Sequence, residues 1–426
     1  MKESPEELLD WTLKSLPAAD EEVGIASIAA RGWNVLAEDL MLPVAVLRES
    51  ALENNLKWMK HFCEEAGVEI CPHGKTTMAP KLFERQLAAG AWGITAATAA
   101  QVRVYRKHGI RRIILANQLI GRQNLDYVLS ELERDHDFDF YCLVDSREGV
   151  ELLNDALNRS RAARPLQVLL EMGLRGGRTG VREKAEALQI AERVALSPNL
   201  RLRGIEAFEG IVQAGPGEEG ELRVRRLMEE IAQVADHCFE SGLFAGKPIL
   251  TAGGSSFFDI VADVLASGDS ATRFTVVLRS GCYVTHDSEF YEEMIQRLLL
   301  RTGKDRNTPA LLPAIELWAY VHSRPEPGRV IAGLGKRDAS FDITLPRPLG
   351  WVRAGSKEVG ELGPDHRTVR LDDHHAYLDV PPDSPLQVGD LMYFGISHPC
   401  TTFDRWRAMY VVDDQRNVID AVRTYF

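Results

Sequence analysis

The sequence predicts an α/β fold, a closed (β/α)8 barrel followed by a mostly antiparallel β domain. Three observations predict it. Short apolar runs alternate with amphipathic stretches over the first two-thirds of the chain, which is the signature of βα units around a parallel sheet. Eight such units fall within roughly 215 residues, a count that suits a closed barrel, with an open doubly wound sheet as the competing arrangement. After about Gly281 the runs become short, β-rich and separated by Pro, Gly and Asp.

Taken in order, the first forty residues hold one helical pattern, Pro5 to Leu16, with Leu8, Leu9, Trp11, Leu13 and Leu16 among acids. The barrel strands are read as Pro43–Leu47, Glu69–Pro72, Gly93–Ala97, Arg112–Ala116, Phe138–Val144, Leu166–Glu171, Leu202–Phe208 and Pro248–Thr251. They are rich in Val, Ile and Leu on both faces, as strands buried on both sides must be. Between them lie helical patterns such as Leu52–Cys63, Pro80–Ala89, Gln101–His108, Glu148–Asn158 and Arg223–Phe239. In the last, Ile231, Val234, Ala235 and Cys238 recur on one helix face. The β domain is expected from Trp318–Ser323, Arg329–Ala332, Trp351–Val352, Thr368–Leu371, Tyr377–Val380 and Asp390–Phe394, with hairpins and no long helices. The expected division is a barrel over residues 42–285 and a β-rich domain over 286–426 joined by the segment 1–41.

Composition bounds the function. The chain has 426 residues, 45% hydrophobic and 26% charged, an ordinary globular composition with ample material for a large core. A net charge of −12 argues against nucleic acid as a partner, because phosphate backbones need a basic footprint. The six cysteines are scattered without paired spacing and read as reduced thiols. The start, Met-Lys-Glu-Ser-Pro-Glu-Glu, lacks the pattern of a signal peptide, and no apolar run approaches the ~20 residues that span a bilayer. A cytoplasmic protein is expected.

The chemistry is expected at the C-terminal ends of the strands, where barrels build their sites. Cys71-Pro-His-Gly-Lys75-Thr closes an apolar run and precedes a helical pattern, so Lys75 stands where a strand gives way to a loop. A lysine there can form a Schiff base with a carbonyl cofactor if a partly dry site lowers its pKa. Thr251-Ala-Gly253-Gly254-Ser255-Ser ends the last counted strand and opens a helical pattern, an arrangement that lets backbone N–H groups approach a phosphate. Arg175 and Arg178 lie among four glycines after Glu171 and suit a phosphate, a carboxylate or a cofactor ring. A lysine, a phosphate cup and an arginine at one mouth together suggest pyridoxal 5′-phosphate (PLP). In the β domain, Ser397-His398-Pro399-Cys400 sets an imidazole and a thiol on one face of an extended segment, and both are zinc ligands.

With these motifs in hand, the chain resembles the D-threonine aldolase and D-serine dehydratase-like proteins. These are fold type III PLP enzymes whose barrel is of the alanine racemase type. The resemblance runs from about Leu42 to Arg407. It rests on Pro72-His73-Gly74-Lys75-Thr76, Ala116-Asn117, Arg178-Thr179-Gly180-Val181, Gly253-Gly254-Ser255, Gly281-Cys282-Tyr283, Ser323-Arg324-Pro325-Glu326-Pro327-Gly328-Arg329 and Ser397-His398-Pro399-Cys400-Thr401-Thr402. It implies that Lys75 is the Schiff-base lysine, with His73 beside it in the same motif. It implies that Gly253, Gly254 and Ser255 form the phosphate cup with Gly281 and Tyr283 nearby, that Arg178 lies by the pyridine nitrogen, and that His398 and Cys400 are the metal pair. Aldolases of the family carry His-x-Asp and a hard ion, and the dehydratase branch carries His-x-Cys and zinc, so Cys400 favours dehydration of a D-serine-like substrate. A D-threonine-type aldolase, an amino-acid racemase and a non-catalytic PLP carrier are the alternatives. The second domain speaks against the carrier. The resemblance also implies a homodimer. One departure is Phe208, where many relatives have tyrosine before Glu209-Gly210.

Overall fold

The computed structural model describes residues 7–160, 164–212 and 218–426. The chain forms two compact units, each assembled from pieces distant in sequence. One comprises residues 59–75 and 86–281, the other residues 1–58, 76–85 and 282–426.

The first unit is the barrel. Its strands are β1 (Glu69–Ile70), β2 (Ile94–Ala96), β3 (Arg112–Gln118), β4 (Asp139–Val144), β5 (Leu166–Met172), β6 (Leu200–Ala207), β7 (Ile249–Ala252) and β8 (Thr275–Leu278). All neighbours are parallel, and β8 returns to pair with β1. Between β1 and β2 the ring is joined by a bridge from His73 to Thr95, where the Thr95 amide donates to the Pro72 carbonyl and its hydroxyl to the Cys71 carbonyl. Cys71, Ile114, Tyr141, Leu143, Leu169, Ile249 and Val277 fill the interior with apolar side chains.

The second unit is built on a ten-stranded, mostly antiparallel sheet around the long strand Ile315–Glu326. That strand pairs with Leu391–Gly395 on one side and with Val44–Arg48 and then Arg329–Ala332 on the other. Among the described residues no helix is long and apolar enough to cross a membrane.

Four expectations are corrected. The run at Pro43–Leu47 is not a barrel strand: Val44–Arg48 pairs antiparallel with Ile315–Trp318 and parallel with Tyr410–Val412. The eighth barrel strand is Thr275–Leu278, so Lys75 follows the first strand and Gly253 the seventh. Two apolar runs of equal length look alike by periodicity, and only their partners distinguish them. The helix expected from Pro5 is absent over its described part. Leu8–Asp10 pairs with Glu22–Gly24, and the Asp10 carboxylate accepts the Thr12 amide at 2.8 Å to start a turn. Leu9, Leu13 and Leu16 were nonetheless rightly apolar, because all three are buried in the β unit's core. That unit also holds a helix of 12 residues, Phe290–Arg301, where none was expected. Finally, the units are not contiguous stretches divided at residue 285, since residues 42–58 and 76–85 belong with the β unit.

At Gly204 in β6, φ is +155° and an added Cβ would lie 1.9 Å from the Ile249 carbonyl oxygen of β7. Gly204→Ala is therefore expected to destabilise the barrel by at least about 2 kcal/mol, through backbone strain and separation of two central strands. A thermal or urea melt of the variant checks this.

Candidate active site

In the barrel unit the ends of the strands carry a dense set of charged and polar groups. His73 and Lys75 follow β1, with Lys75 in the short turn Gly74–Thr76. Gly74 is required there, because a Cβ would come within 2.5 Å of the Tyr105 hydroxyl. Lys75 is exposed, so the dry pocket expected around it is not formed by the barrel unit's own atoms. Burial holds the His73 imidazole well below its usual value, and the nearby positive charge of Lys75 adds to the effect. Its Nδ1 is buried without a hydrogen-bond partner among the described residues.

Across the mouth, Arg279 leaves the end of β8 and reaches into the barrel. Its guanidinium pairs with Glu206 of β6, donates to the Ala207 carbonyl, and bonds the Thr251 hydroxyl of β7 at 2.9 Å. Burial pushes the Glu206 carboxyl up to about 7 even though Arg279 pulls the other way. Glu206 Oε2 has no hydrogen-bond partner among the described residues. Two buried polar atoms, His73 Nδ1 and Glu206 Oε2, thus await a partner, which fits a site meant to hold a polar ligand.

The glycine loop after β7 is held on both sides. The Gly253 and Gly254 amides donate to the two oxygens of the fully buried Glu209 carboxylate at 3.0 and 2.5 Å. On the carbonyl side, the Ser280 hydroxyl bonds Gly253 O and Gly254 O at 3.1 and 3.0 Å, and the Arg279 amide donates to Gly253 O. Gly253 has φ +93°, and a Cβ at Gly254 would lie 2.8 Å from the Phe208 ring. Phe208 thus packs against Gly254, and the exposed Arg178 guanidinium stands over the same ring, 5.1 Å from its centroid.

These contacts modify the expected phosphate cup: the amides of Gly253 and Gly254 serve Glu209, so the loop is a built support and any phosphate is left to Ser255 and the residues beyond. Of the expected cofactor residues, the barrel unit brings together His73, Lys75, Arg178, Gly253, Gly254, Ser255 and Gly281, the last following Ser280. Tyr283 lies in the β unit, buried in the turn Cys282–Val284.

The β unit carries the second cluster. His398 and Cys400 are not in an extended strand as expected. His398 caps a short helix, Pro399–Phe403, because Pro399 is preorganised for the first helical position. His398 Nδ1 lies 2.6 Å from Asp342 Oδ2, and Asp342 Oδ1 accepts the Thr401 hydroxyl at 2.8 Å. Burial pulls the His398 imidazole down, but its contacts with Cys400 and Asp342 outweigh this and carry it up to about 9. Cys400 Sγ lies 3.6 Å from Cys282 Sγ and 3.4 Å from the Thr76 hydroxyl. The Cys400 thiol is held well below its ordinary value, chiefly by the hydrogen bond from Cys282, with His398 adding to it. Thr76 is the residue next in sequence after Lys75.

An imidazole fixed by a carboxylate beside an acidified thiol is a donor set suited to a metal, since such histidines usually give their other nitrogen to a carboxylate. Among the described residues no three or more His, Cys, Asp or Glu side chains form a group that could hold a metal ion. Glu206, Arg279, Asp342 and the partnership of Cys282 were missed from sequence, where no local spacing marks them, and Glu209 was noted only as part of the strand end Phe208-Glu209-Gly210, with no role.

A parallel eight-stranded barrel with a lysine after its first strand, joined to an antiparallel β unit, defines the class of fold type III PLP proteins. The comparisons agree. Residues 47–257 match the family described as "Alanine racemase, N-terminal domain", and residues 314–412 match that described as "Putative serine dehydratase domain". These matches place the chain among the fold type III PLP proteins, and curated D-threonine and 3-hydroxy-D-aspartate aldolases are among the proteins it is similar to. It is 25% identical to a D-threonine aldolase of Arthrobacter sp over 375 residues, covering 87% of this chain and 89% of that protein. The structure of D-threonine aldolase from Filomicrobium marinum shares the fold with a TM-score of 0.73 at 23% identity, covering 91% of this chain and 95% of that one. D-threo-3-hydroxyaspartate dehydratase from Delftia sp. HT23 does so with a TM-score of 0.73 at 19% identity, covering 92% and 99%.

Since Glu209 accepts two amides of the loop, Glu209→Ala is expected to loosen the cup and lower PLP affinity about tenfold or more, the effect of losing charge-assisted hydrogen bonds. Fluorescence titration of the cofactor-free variant with PLP measures it.

Proposed function

We propose that this protein is a PLP- and zinc-dependent lyase that removes water from β-hydroxy D-amino acids of the D-serine type, giving a 2-keto acid and ammonia. The observation that carries the choice of reaction is the His398–Cys400 pair oriented by Asp342, because a thiolate selects zinc over the harder ions. Solved structures of a D-threo-3-hydroxyaspartate dehydratase include one variant with a histidine replaced by alanine. Another has the cysteine two positions further on replaced and is in a metal-free form. That spacing is the one between His398 and Cys400.

In this reading Lys75 binds the cofactor. Ser255 and Gly281 would serve its phosphate end, beside the loop that Glu209 supports. Arg178 serves its ring nitrogen, and His73 and Glu206 offer their unpartnered atoms. Bound there, PLP supplies an electron sink for negative charge at the substrate Cα. The Lys75 amine takes the Cα proton. His398 and Cys400 would hold the zinc, which would supply a Lewis acid for a leaving hydroxyl. Asp342 keeps the imidazole oriented and fixes its tautomer. Phe208 has no hydroxyl and moves no proton, so proton transfer falls to Lys75 and water.

A second reading, retro-aldol cleavage of a D-threonine-type substrate, is favoured by the Arthrobacter and Filomicrobium relatives. Products decide between them. Pyruvate and ammonia from D-serine, lost on chelation and restored by zinc, are the expected result. Glycine and an aldehyde from D-threonine, with no keto acid from D-serine, would move the assignment to aldolase. Lys75→Ala is expected to abolish the bound-cofactor absorption band, and an unchanged spectrum would refute the cofactor role. Asp342→Asn is expected to weaken zinc binding about 10–100-fold, measured by competition with a chromophoric chelator.

A further inference from the structure

In the β unit the two sulfurs of Cys282 and Cys400 lie 3.6 Å apart. We propose that Cys282 and Cys400 are a reversible oxidative modification site, closed to a disulfide by a peroxide and reopened by a dithiol.

Several features support it. The sulfurs are in van der Waals contact and need to approach by only about 1.5 Å to reach disulfide length. Cys282 lies in a three-residue turn, Cys282–Val284, and Cys400 in a five-residue helix, so neither sits inside a long rigid element. Their exposures differ. Cys400 is partly exposed and open to a small oxidant, and Cys282 is buried, out of its reach. The Thr76 hydroxyl lies 3.4 Å from Cys400 Sγ and 3.8 Å from Cys282 Sγ, closing a compact polar cluster around the pair. The other four cysteines are all buried: Cys63 lies on the helix Glu49–Ala66, Cys71 beside β1, Cys142 in β4 and Cys238 on the helix Glu218–Glu240.

The steps balance. Cys400 sulfur attacks one oxygen of hydrogen peroxide, becoming a sulfenic acid as the O–O bond breaks and water leaves. Cys282 sulfur then attacks Cys400 sulfur, forming the S–S bond and releasing a second water. Two thiols lose two electrons, and one peroxide gains them. If Cys400 is a zinc ligand, as the proposed function has it, the disulfide removes that ligand and switches the enzyme off until it is reduced. Cys282 in turn keeps the Cys400 sulfenic acid from going on to the irreversible sulfinic acid.

The test treats the purified protein, with and without added zinc, with limiting hydrogen peroxide and then counts thiols after denaturation. The expected count falls from six to four, and non-reducing peptide mapping shows the Cys282 and Cys400 peptides linked. Dithiothreitol returns the count to six. In Cys282→Ser treated with excess peroxide, which carries the unresolved Cys400 sulfenic acid on to the sulfinic acid, the count falls from five to four and dithiothreitol does not restore it, whereas the wild type treated in the same way recovers. Oxidation of Cys400 without the linked peptide would overturn the proposal, as would recovery of Cys282→Ser as complete as that of the wild type. The zinc arm separates this proposal from the metal assignment. Slower linkage with zinc present supports both, and linkage at an unchanged rate supports the thiol pair while counting against Cys400 as a zinc ligand.

Discussion

Arg279 leaves the end of β8 with its guanidinium bonded to Glu206, to the Ala207 carbonyl and to the Thr251 hydroxyl, so one side chain ties together the ends of three neighbouring strands. Burying such a pair costs several kcal/mol per ion and is sustained only where further hydrogen bonds satisfy the charges. Here the carbonyl and the hydroxyl do so for the guanidinium. The rest of the barrel mouth follows from that anchor. Ser280 comes next in the chain and holds the carbonyls of the glycine loop. Glu209 lies three residues beyond Glu206 and holds the loop's amides. The loop is therefore rigid before a ligand arrives, and rigidity of this kind is how a site avoids ordering itself at the moment of binding.

The two clusters are prepared for their ligands differently. At the barrel mouth, His73 Nδ1 and Glu206 Oε2 are buried without partners, so the polar demand is left open. In the β unit every contact of the donor pair is internal: imidazole to carboxylate, thiol to thiol, thiol to hydroxyl. The first arrangement favours entry of a polar organic group. The second keeps a histidine and a cysteine oriented by their neighbours.

What could be read from the chain divides along the same line. Lys75, His398 and Cys400 could be singled out in the sequence because they stand in short motifs at the ends of apolar runs. Glu206, Glu209, Arg279 and Asp342 could not, although each is plain in the sequence. A glutamate at the end of a strand looks like a solvated one until the strand beside it is known. Cys282 was noted within Gly281-Cys282-Tyr283, but nothing local joins it to a cysteine 118 positions away.

By itself, the sequence determined the class of architecture. The alternation of apolar and amphipathic segments requires βα units, and the loss of that alternation after Gly281 requires a β-rich end. It also determined which residues are apolar enough to be core, as Leu9, Leu13 and Leu16 show despite the wrong secondary structure. Only the tertiary structure decided which strand joins which sheet. Val44–Arg48 and Thr275–Leu278 are both short buried apolar runs, one paired in the β unit and the other completing the barrel. A strand's own residues set its faces, but its partners are chosen by hydrogen bonding and packing with segments far away in the chain.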